Sequence, residues 1–458
     1  MPDIAHTVTY TADLKEALTG RRDARFVWLC NFEVETAWAR GRAGLPLPRA
    51  SAAGPMVRRM EQLGALLAEP SDVLLLGDGL DPDFRRYAER TGLGVPTELV
   101  TDPGTPGEGT ADAVLSSPRV LGALRELAAQ GAYLMPMGAS AVEQKILETT
   151  GLRSAVAHAD VFERVNSKIY SRRAAAELGL RTIPGHTCES VAELREVLTR
   201  SDPGTRPLIV KDAYGVSGKG LLVLDSAAKA QRLLRMVEAR ARRTGSDALD
   251  VVVEHYLPKA ADLAYQFVVD RVGRVRLDFV KEALITDGVP AGNVTPAALS
   301  GRQHAELAEA AERLGGRLHR DGFFGVVGVD ALLGADGLLY PVLEINARLS
   351  MGSYQGRVVE RFLPPGGSAL ARHYPLTLGR RIPFADIDAA LASAGDPAGG
   401  SGAVVTCFGT VNAAAGAATP FRGRLYTVLH AADRASLTEL DHRVTAALGR
   451  VAGVEGTS

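Results

Sequence analysis

The sequence Tyr340-Pro-Val-Leu-Glu-Ile-Asn-Ala-Arg-Leu-Ser350 places polar side chains at every second position of an otherwise apolar run. Successive residues of a strand point to opposite faces, so Glu344, Asn346 and Arg348 share one face. Charge within an apolar strand is costly unless it meets a partner. Carboxylate and amide oxygens suit a Mg²⁺ ion that bridges nucleotide phosphates. The stretch therefore indicates a metal site on one face of a strand.

A second apolar run, Val326-Val-Gly-Val-Asp330, carries a further carboxylate. The pattern predicts a hairpin with strands over 326–333 and 338–345. Asp330 joins the polar face only if the turn is centred near residue 337. A turn at 335–336 would displace Asp330 by three residues, which is about 10 Å at the rise of a strand. The alternative is an edge strand in which Arg348 forms an ion pair with Glu344.

A glycine-rich turn follows a short strand in Leu208-Ile-Val-Lys-Asp-Ala-Tyr-Gly-Val-Ser-Gly-Lys-Gly220. Glycine lets backbone N–H groups approach a phosphate because no Cβ intervenes. The turn is not a Walker A loop, because Lys219 is followed by glycine rather than serine or threonine. It indicates either a phosphate-binding loop, with Lys211 at the end of the preceding strand, or an ordinary hairpin turn.

A third stretch, Val251-Val-Val-Glu-His-Tyr-Leu-Pro258, is an apolar strand that runs into Glu254 and then into a bend limited by proline. The backbone at such a strand exit can bind the edge of adenine. The Glu254 carboxylate can accept a hydrogen bond from the exocyclic amine. The alternative is a buried strand that simply ends at a turn.

Taken in order, these motifs resemble the ATP-grasp superfamily of ATP-dependent carboxylate–amine ligases over residues 150–365. The resemblance implies that the chain binds ATP together with Mg²⁺, which Mn²⁺ can replace. Lys168, at the start of a helix, and Lys211 then correspond to the two lysines that bind the phosphates. The other implied nucleotide contacts form the phosphate loop, the adenine hinge and a ribose contact: Tyr214, Gly215, Val216, Ser217, Gly218, Lys219, Glu254, His255, Tyr256, Leu257 and Asp262.

The same resemblance assigns the metal and the reacting groups. The implied metal ligands are Asp330, Glu344 and Asn346. Arg348 corresponds to the basic residue that stabilises an acyl phosphate. The arginine usual two residues before the first metal ligand is Gly328 in this chain. This departure argues against the D-alanine–D-alanine ligase branch, and Lys281 or Arg348 is the candidate to supply the missing charge.

The chain before residue 150 alternates between apolar runs and helical patterns, which predicts parallel strands covered by helices. The apolar runs lie at 25–30, 72–77 and 132–136, and the helical patterns at 55–69 and 118–130. We therefore predict an α/β protein with an ATP-grasp fold. Its expected parts are an N-terminal Rossmann-like pre-ATP-grasp domain over 1–155, an ATP-grasp domain over 156–380 with a lid at about 183–256, and a small C-terminal α+β domain over 381–458.

The N-terminal and C-terminal regions together resemble those of peptide ligases of the pheganomycin type, which join a small amino acid derivative to a peptide amine. This implies a ligase of antibiotic or other secondary-metabolite biosynthesis. A carboxylate would be activated as an acyl phosphate, and an amine would displace phosphate to form an amide. Glu33 and Glu35 follow the first strand and are expected to be solvated, with contact to the acyl substrate as the alternative. No general base for the amine is evident.

Composition argues against several other classes of protein. The 458 residues carry 52 basic and 53 acidic side chains, so the net charge of −1 gives no signal for nucleic acid or an anionic membrane. No apolar run of ~18 residues supports a membrane span, and the first residues lack the pattern of a signal peptide. Three distant cysteines fit a reducing cytoplasm. Only eight basic residues are lysines, and four of them fall in the predicted site: Lys168, Lys211, Lys219 and Lys281.

Three other functions stay open. The first is an ATP-grasp enzyme that uses a small non-peptide amine or activates bicarbonate. The second is a non-catalytic ATP-binding regulatory protein, against which the complete metal and arginine set argues. The third is a dinucleotide oxidoreductase, but Gly77-Asp-Gly-Leu-Asp-Pro82 has proline where the third glycine belongs. The expected partners are a small-molecule carboxylate and an amine or peptide, and formation of a homo-oligomer is left open.

Overall fold

The computed structural model describes residues 9–46, 54–102, 109–215, 220–286, 289–417 and 419–453. Three sheets organise this part of the chain: a five-stranded parallel sheet, a four-stranded antiparallel sheet and an eight-stranded antiparallel sheet. Within the described ranges, no helix is both long enough and apolar enough to cross a membrane.

The first sheet is parallel, as the alternating pattern predicts, and has the order β3-β2-β1-β4-β5. Its strands are β1 (Phe26–Leu29), β2 (Val73–Leu76), β3 (Thr97–Val100), β4 (Tyr133–Pro136) and β5 (Arg153–Ser154). Its helices are α1 (Tyr10–Thr19), α2 (Val34–Trp38), α3 (Pro55–Arg59), α4 (Pro82–Arg90), α5 (Thr110–Leu115), α6 (Pro118–Ala129) and α7 (Ala141–Thr150), with a 3-10 helix over Met60–Leu66. Alternate residues of β1 enter two different apolar cores, so helices cover both faces.

The second sheet forms the lid and has the order β6-β9-β7-β8. Two helices precede it, α8 (Ala159–Val165) and α9 (Lys168–Glu177). The lid consists of β6 (Gly185–Ser190), α10 (Val191–Arg200), β7 (Leu208–Asp212), β8 (Leu221–Leu224), α11 (Ala227–Thr244) and β9 (Ala248–His255). Val210, Val251 and Val253 pack beneath α10 and α11. The opposite face, with Lys211 and Glu254, is left for the site.

The third sheet has the order β14-β13-β10-β11-β12-β15-β17-β16. Its strands are β10 (Lys259–Val269), β11 (Val275–Thr286), β12 (Val289–Thr295), β13 (Gly325–Gly334), β14 (Leu339–Asn346), β15 (Ser368–Leu378), β16 (Gly402–Cys407) and β17 (Phe421–Ala431). Its helices are α12 (Gly301–Arg320), α13 (Met351–Phe362), α14 (Phe384–Ala394) and α15 (Arg434–Ala452), with a 3-10 helix over Pro397–Gly399.

The β13–β14 hairpin has the register that the metal prediction requires. Asp330 lies directly opposite Glu344, and Val329 lies opposite Ile345. Nearer the turn the register shifts: Leu333 lies opposite Leu339, so the turn itself centres near residue 336, and the irregularity between Asp330 and Leu332 brings Asp330 opposite Glu344. A turn near residue 337 was therefore not required. Directly opposed residues of an antiparallel pair share a face, so Asp330 and Glu344 point to the same side of the sheet.

The C-terminal strands do not form a sheet of their own. β17 pairs with β15 from Ser368 to Leu378, and β15 pairs in turn with β12. The α+β region expected beyond residue 381 therefore extends the central sheet. The reason is β15, which the sequence pattern did not predict and which covers the free edge of β12. The domain limits at 155 and 380 stay predictions.

A buried ion pair connects the beginning of the chain to the first sheet. The Lys15 ammonium lies 2.8 Å from Asp72, and both side chains are fully buried. Asp72 also accepts hydrogen bonds from the Phe26 backbone N–H at 2.9 Å and from the Trp28 indole N–H at 3.0 Å. One carboxylate thus satisfies donors from α1 and β1.

We expect Asp72→Ala to destabilise the protein by about 2–4 kcal/mol, because it leaves the buried N–H groups of Phe26 and Trp28 without their acceptor, while Glu69 still pairs with Lys15 at 2.6 Å. The midpoint of urea unfolding measures the loss. Both tryptophans, Trp28 and Trp38, belong to the first sheet and its helices, so their fluorescence reports this region. Asp23→Ala removes an acid from an exposed ion pair and should change stability by less than ~1 kcal/mol. Equal effects of the two substitutions would contradict the argument.

Candidate active site

Lys168 occupies the first turn of α9 because Ser167 caps that helix. The Ser167 hydroxyl accepts a hydrogen bond from the Ile169 backbone N–H at 3.2 Å. The Lys168 ammonium lies 2.6 Å from a carboxylate oxygen of Glu344 and 2.7 Å from the Gly215 carbonyl oxygen. The start of α9, the loop after β7 and strand β14 therefore meet at one lysine.

Four residues of adjacent strands form a row across one face of the central sheet. Glu344 pairs with Asp330, Asp330 with Ala264, and Ala264 with Lys281. Neighbouring strands lie about 4.8 Å apart, so the backbones of Lys281 and Asp330 are about 10 Å apart. The small side chain of Ala264 separates the two charged groups. The register thus places Lys281 on the same face as the predicted metal ligands.

The three predicted metal ligands lie together on this face. The Asn346 amide N–H donates to Asp330 at 3.3 Å. Its carbonyl oxygen accepts from Arg348 at 3.0 Å. Partial burial and the neighbouring Glu344 carboxylate raise the pKa of Asp330. A divalent cation would relieve this repulsion, and two carboxylates with one amide oxygen are hard donors that suit Mg²⁺. The donor set fits the metal, although in the described ranges no three His, Cys, Asp or Glu side chains form such a cluster.

Arg348 forms its ion pair with Glu35 of α2, not with Glu344. Its Nε lies 2.6 Å from the Glu35 carboxylate, and a second guanidinium nitrogen contacts the same oxygen. Only 13% of the Arg348 side chain and 15% of the Glu35 side chain are exposed. Strand β14 is an edge strand of its sheet, as the alternative expected, but the Arg348–Glu344 pair of that alternative is wrong. The expectation that Glu35 is solvated is also wrong, because the first sheet packs it against the end of β14.

The lid contributes a second charged group. Lys211 lies 2.7 Å from one Glu254 oxygen, and Arg172 lies 2.9 Å from the other. Arg172 also donates to the carbonyl oxygens of Ile183 and Gly185. Both carboxylate oxygens of Glu254 are thus occupied by cations, and a hydrogen bond from adenine to Glu254 stays a prediction. Sequence reasoning missed Arg172, although it lies one helical turn after Lys168.

The remaining hinge residues follow β9. The backbone N–H groups of His255 and Tyr256 donate to the carbonyl oxygens of Pro184 and Pro207. Leu257 is half-buried against a small apolar cluster of Ile183, Leu332, Leu343 and Tyr340. Asp262 binds Lys259 at the beginning of β10. Four residues of the predicted phosphate loop, Val216, Ser217, Gly218 and Lys219, lie outside the described residues.

A small cleft lies beside Lys168, Glu344 and Asn346. Its lining comprises Glu35, Trp38, Asn166, Lys168, Tyr214, Gly215, Glu344 and Asn346. Neither Trp38 nor Asn166 was among the predicted site residues. Trp38 is oriented by an indole hydrogen bond to the Ala139 carbonyl, and Asn166 donates to the Ala347 carbonyl. The cleft therefore brings together the first sheet, α9, the loop after β7 and β14.

Lys281 is buried among weak partners. Only 4% of the residue is exposed, its ammonium lies 4.2 Å from the centre of the Phe279 ring, and the nearest acceptor is the Gly352 carbonyl at 3.5 Å. Burial lowers the pKa of Lys281 to about 8. A buried ammonium beside the beginning of α13 is suited to meet an anion.

Two family models match parts of the chain. Residues 61–152 match the model of the pre-ATP-grasp domain, and residues 167–355 match that of the carbamoyl-phosphate synthase L chain ATP-binding domain. The chain is 30% identical over 196 residues to the butirosin acyl-carrier protein–L-glutamate ligase of Niallia circulans, over 42% of this chain and 45% of that protein. It is 26% identical over 200 residues to pyruvate carboxylase 1 of Caenorhabditis elegans. That match covers 42% of this chain and 16% of that protein. The matches span less than half the length of these curated relatives.

The fold extends beyond the matched segments. The biotin carboxylase–βγ-ATP complex from Campylobacter jejuni superposes with a TM-score of 0.56 at 13% identity. The superposition covers 93% of this chain and 95% of that one. At this level of identity the likeness concerns the fold alone.

We expect Lys281→Met to stabilise the ligand-free protein at pH 7 by an amount on the order of 3 kcal/mol. The unfolded chain binds the Lys281 proton up to its ordinary pKa of 10.5, whereas the folded chain loses it near 8. Wild-type stability should therefore rise relative to the variant as the pH increases from 8 to 10.5. Urea midpoints at pH 7 and 10 test this, with the exposed Lys145→Met as control. If the difference in stability between Lys281→Met and the wild type does not narrow at pH 10, the burial argument is refuted.

Proposed function

We propose that the chain is an ADP-forming, ATP-dependent carboxylate–amine ligase of the ATP-grasp superfamily, since residues 61–152 and 167–355 match two family models of this type. The observation that supports this best is the convergence of the Lys168 ammonium, Glu344 and Asn346 on one cleft. Binding of ATP alone would not require an arginine and a buried lysine next to the metal ligands. The regulatory-protein alternative is therefore less well supported.

In the first step a carboxylate attacks the γ-phosphate of ATP, which gives an acyl phosphate and ADP. Lys168 and Lys211 would bind the phosphates, and Asp330, Glu344 and Asn346 would hold Mg²⁺. The bound metal would neutralise charge on the phosphates. The chain's own contribution is to position the reactants and to exclude water from the cleft.

In the second step an amine displaces phosphate from the acyl group and forms an amide. Arg348 stabilises the charge that develops on the acyl phosphate, because it lies at the end of β14 beside Asn346. Lys281 lies on the same face, in the row of Asp330 and Ala264, and adds a second positive charge. These two residues carry the catalytic role in the proposal.

The finer proposal concerns the substrates. We infer a small amino acid derivative or amino acid as the acyl donor, a peptide or amino acid amine as the acceptor, and a role in secondary-metabolite biosynthesis. The pheganomycin-type resemblance supports a peptide acceptor. The name of the Niallia relative instead pairs a carrier protein with L-glutamate, so a carrier-bound substrate is the second candidate.

The test uses ATP, Mg²⁺, hydroxylamine and each of the twenty amino acids as carboxylate probes, with ADP and hydroxamate as the measured products. We expect ADP and hydroxamate in equal amounts with at least one carboxylate. Arg348→Ala should lose about 2–4 kcal/mol of transition-state stabilisation, which is roughly 30- to 1,000-fold in kcat. Arg21→Ala, at an exposed ion pair, is the control. Magnesium-dependent ATP binding without turnover would favour a regulatory protein, and an unchanged kcat for Arg348→Ala would remove its role.

A further inference from the structure

The two carboxylates that line the cleft differ in their partners. One Glu344 oxygen is held by Lys168, and Glu344 belongs to the proposed metal ligands. Glu35 comes from the other side of the cleft, on α2. It is held through one oxygen only, because both contacting nitrogens of Arg348 lie against Oε1. Its second oxygen, Oε2, has no hydrogen-bond partner within the described part of the chain.

The ligase reaction requires a group of this kind. An aliphatic amine or the amino group of an amino acid is mostly an ammonium ion at neutral pH, and an ammonium ion cannot attack a carbonyl. The acceptor must therefore be bound as a cation and then lose a proton. General-base catalysis of this sort contributes typically 10²–10⁴-fold to the rate.

We propose that Glu35 binds the ammonium group of the acceptor through Oε2 and removes its proton. The inference rests on the proposed ligase function and assigns the base that the sequence did not reveal. Glu35 is suited to the role because Arg348, its neighbour, is the group proposed to hold the acyl phosphate. Adjacent negative and positive side chains place an ammonium substrate and an anionic substrate next to each other.

The acceptor nitrogen loses two protons as the amide forms. The ammonium gives one proton to the Glu35 carboxylate, and the free amine forms a C–N bond to the acyl carbon. The C–O bond to phosphate breaks, and phosphate leaves with the electron pair. The second proton lost by the nitrogen goes to the departing phosphate, and protonated Glu35 returns its proton to solvent.

The charged groups around Glu35 are compatible with a cationic acceptor. Arg348 contacts it directly, whereas Lys168 and Glu344 line the same cleft and are paired with each other. Once Arg348 binds the acyl phosphate, the negative charge of Glu35 becomes available to a second cation. The acceptor's ammonium group would then bind at Oε2, the oxygen that Arg348 leaves open.

The test compares Glu35→Gln with the wild type on two kinds of acceptor. Glutamine keeps an oxygen that accepts from Arg348 but is neither an anion nor a base. Hydroxylamine is largely unprotonated at pH 7 and needs no base. Hydroxamate formation should therefore stay within about threefold of the wild type. Amide formation should fall roughly 100-fold or more with cationic acceptors, taken from a panel of amino acids, amino acid amides and dipeptides. Raising the pH towards the pKa of the amine should restore part of the loss.

Glu89→Gln, which removes an exposed acid on α4, is the matched control and should leave both activities unchanged. An equal loss of hydroxamate and amide in Glu35→Gln would show that Glu35 acts only by orienting Arg348. Unchanged amide formation would remove any role for its charge. Either result overturns the proposal while leaving the ligase function intact. A wild type that forms no hydroxamate with any carboxylate would instead overturn the ligase function.

Discussion

The geometry of the cleft depends on the ammonium group of Lys168. It binds Glu344 of β14 and the Gly215 carbonyl after β7, while its backbone N–H donates to the Ala213 carbonyl. Three segments that are distant in sequence therefore meet at one residue. The side chain is only 9% exposed, and a buried charge is tolerated only while its acceptors stay in place. The Lys168 ammonium therefore connects the lid to the central sheet. The same ammonium group is suited to bind a phosphate.

The cleft holds its charges as complementary pairs: Lys168 with Glu344, Lys211 with Glu254, and Arg348 with Glu35. Pairing limits the free-energy cost of burying each charge before any ligand binds. In the proposed reaction a triphosphate competes for the lysines, and a divalent cation competes for the carboxylate of Glu344. Binding thus exchanges one set of ion pairs for another, and the groups are already oriented when the substrates arrive.

Local rules were sufficient to predict the elements that carry the site. The β13–β14 hairpin follows from a pattern within a short window, although the register shift beside Asp330 does not. The partner of Arg348 could not be predicted in this way, because Glu35 lies 313 residues away and Glu344 is much closer in sequence. Strand β15 was missed for a different reason. Pro375 interrupts its pattern and argues against a strand, and only its pairing with β17 over the whole of its length makes it one.

The position of Arg348 does not depend on the charge of its partner, Glu35. The backbone on either side of Arg348 is fixed independently of Glu35, since the Leu349 N–H donates to the Met137 carbonyl at 3.1 Å and Asn166 donates to the Ala347 carbonyl at 3.3 Å. Loss of the Glu35 charge should therefore change the electrostatics at the guanidinium more than its location. The first sheet thus has two distinct effects on the end of β14. Backbone hydrogen bonds determine where the segment lies, and a carboxylate determines which charges can bind beside it.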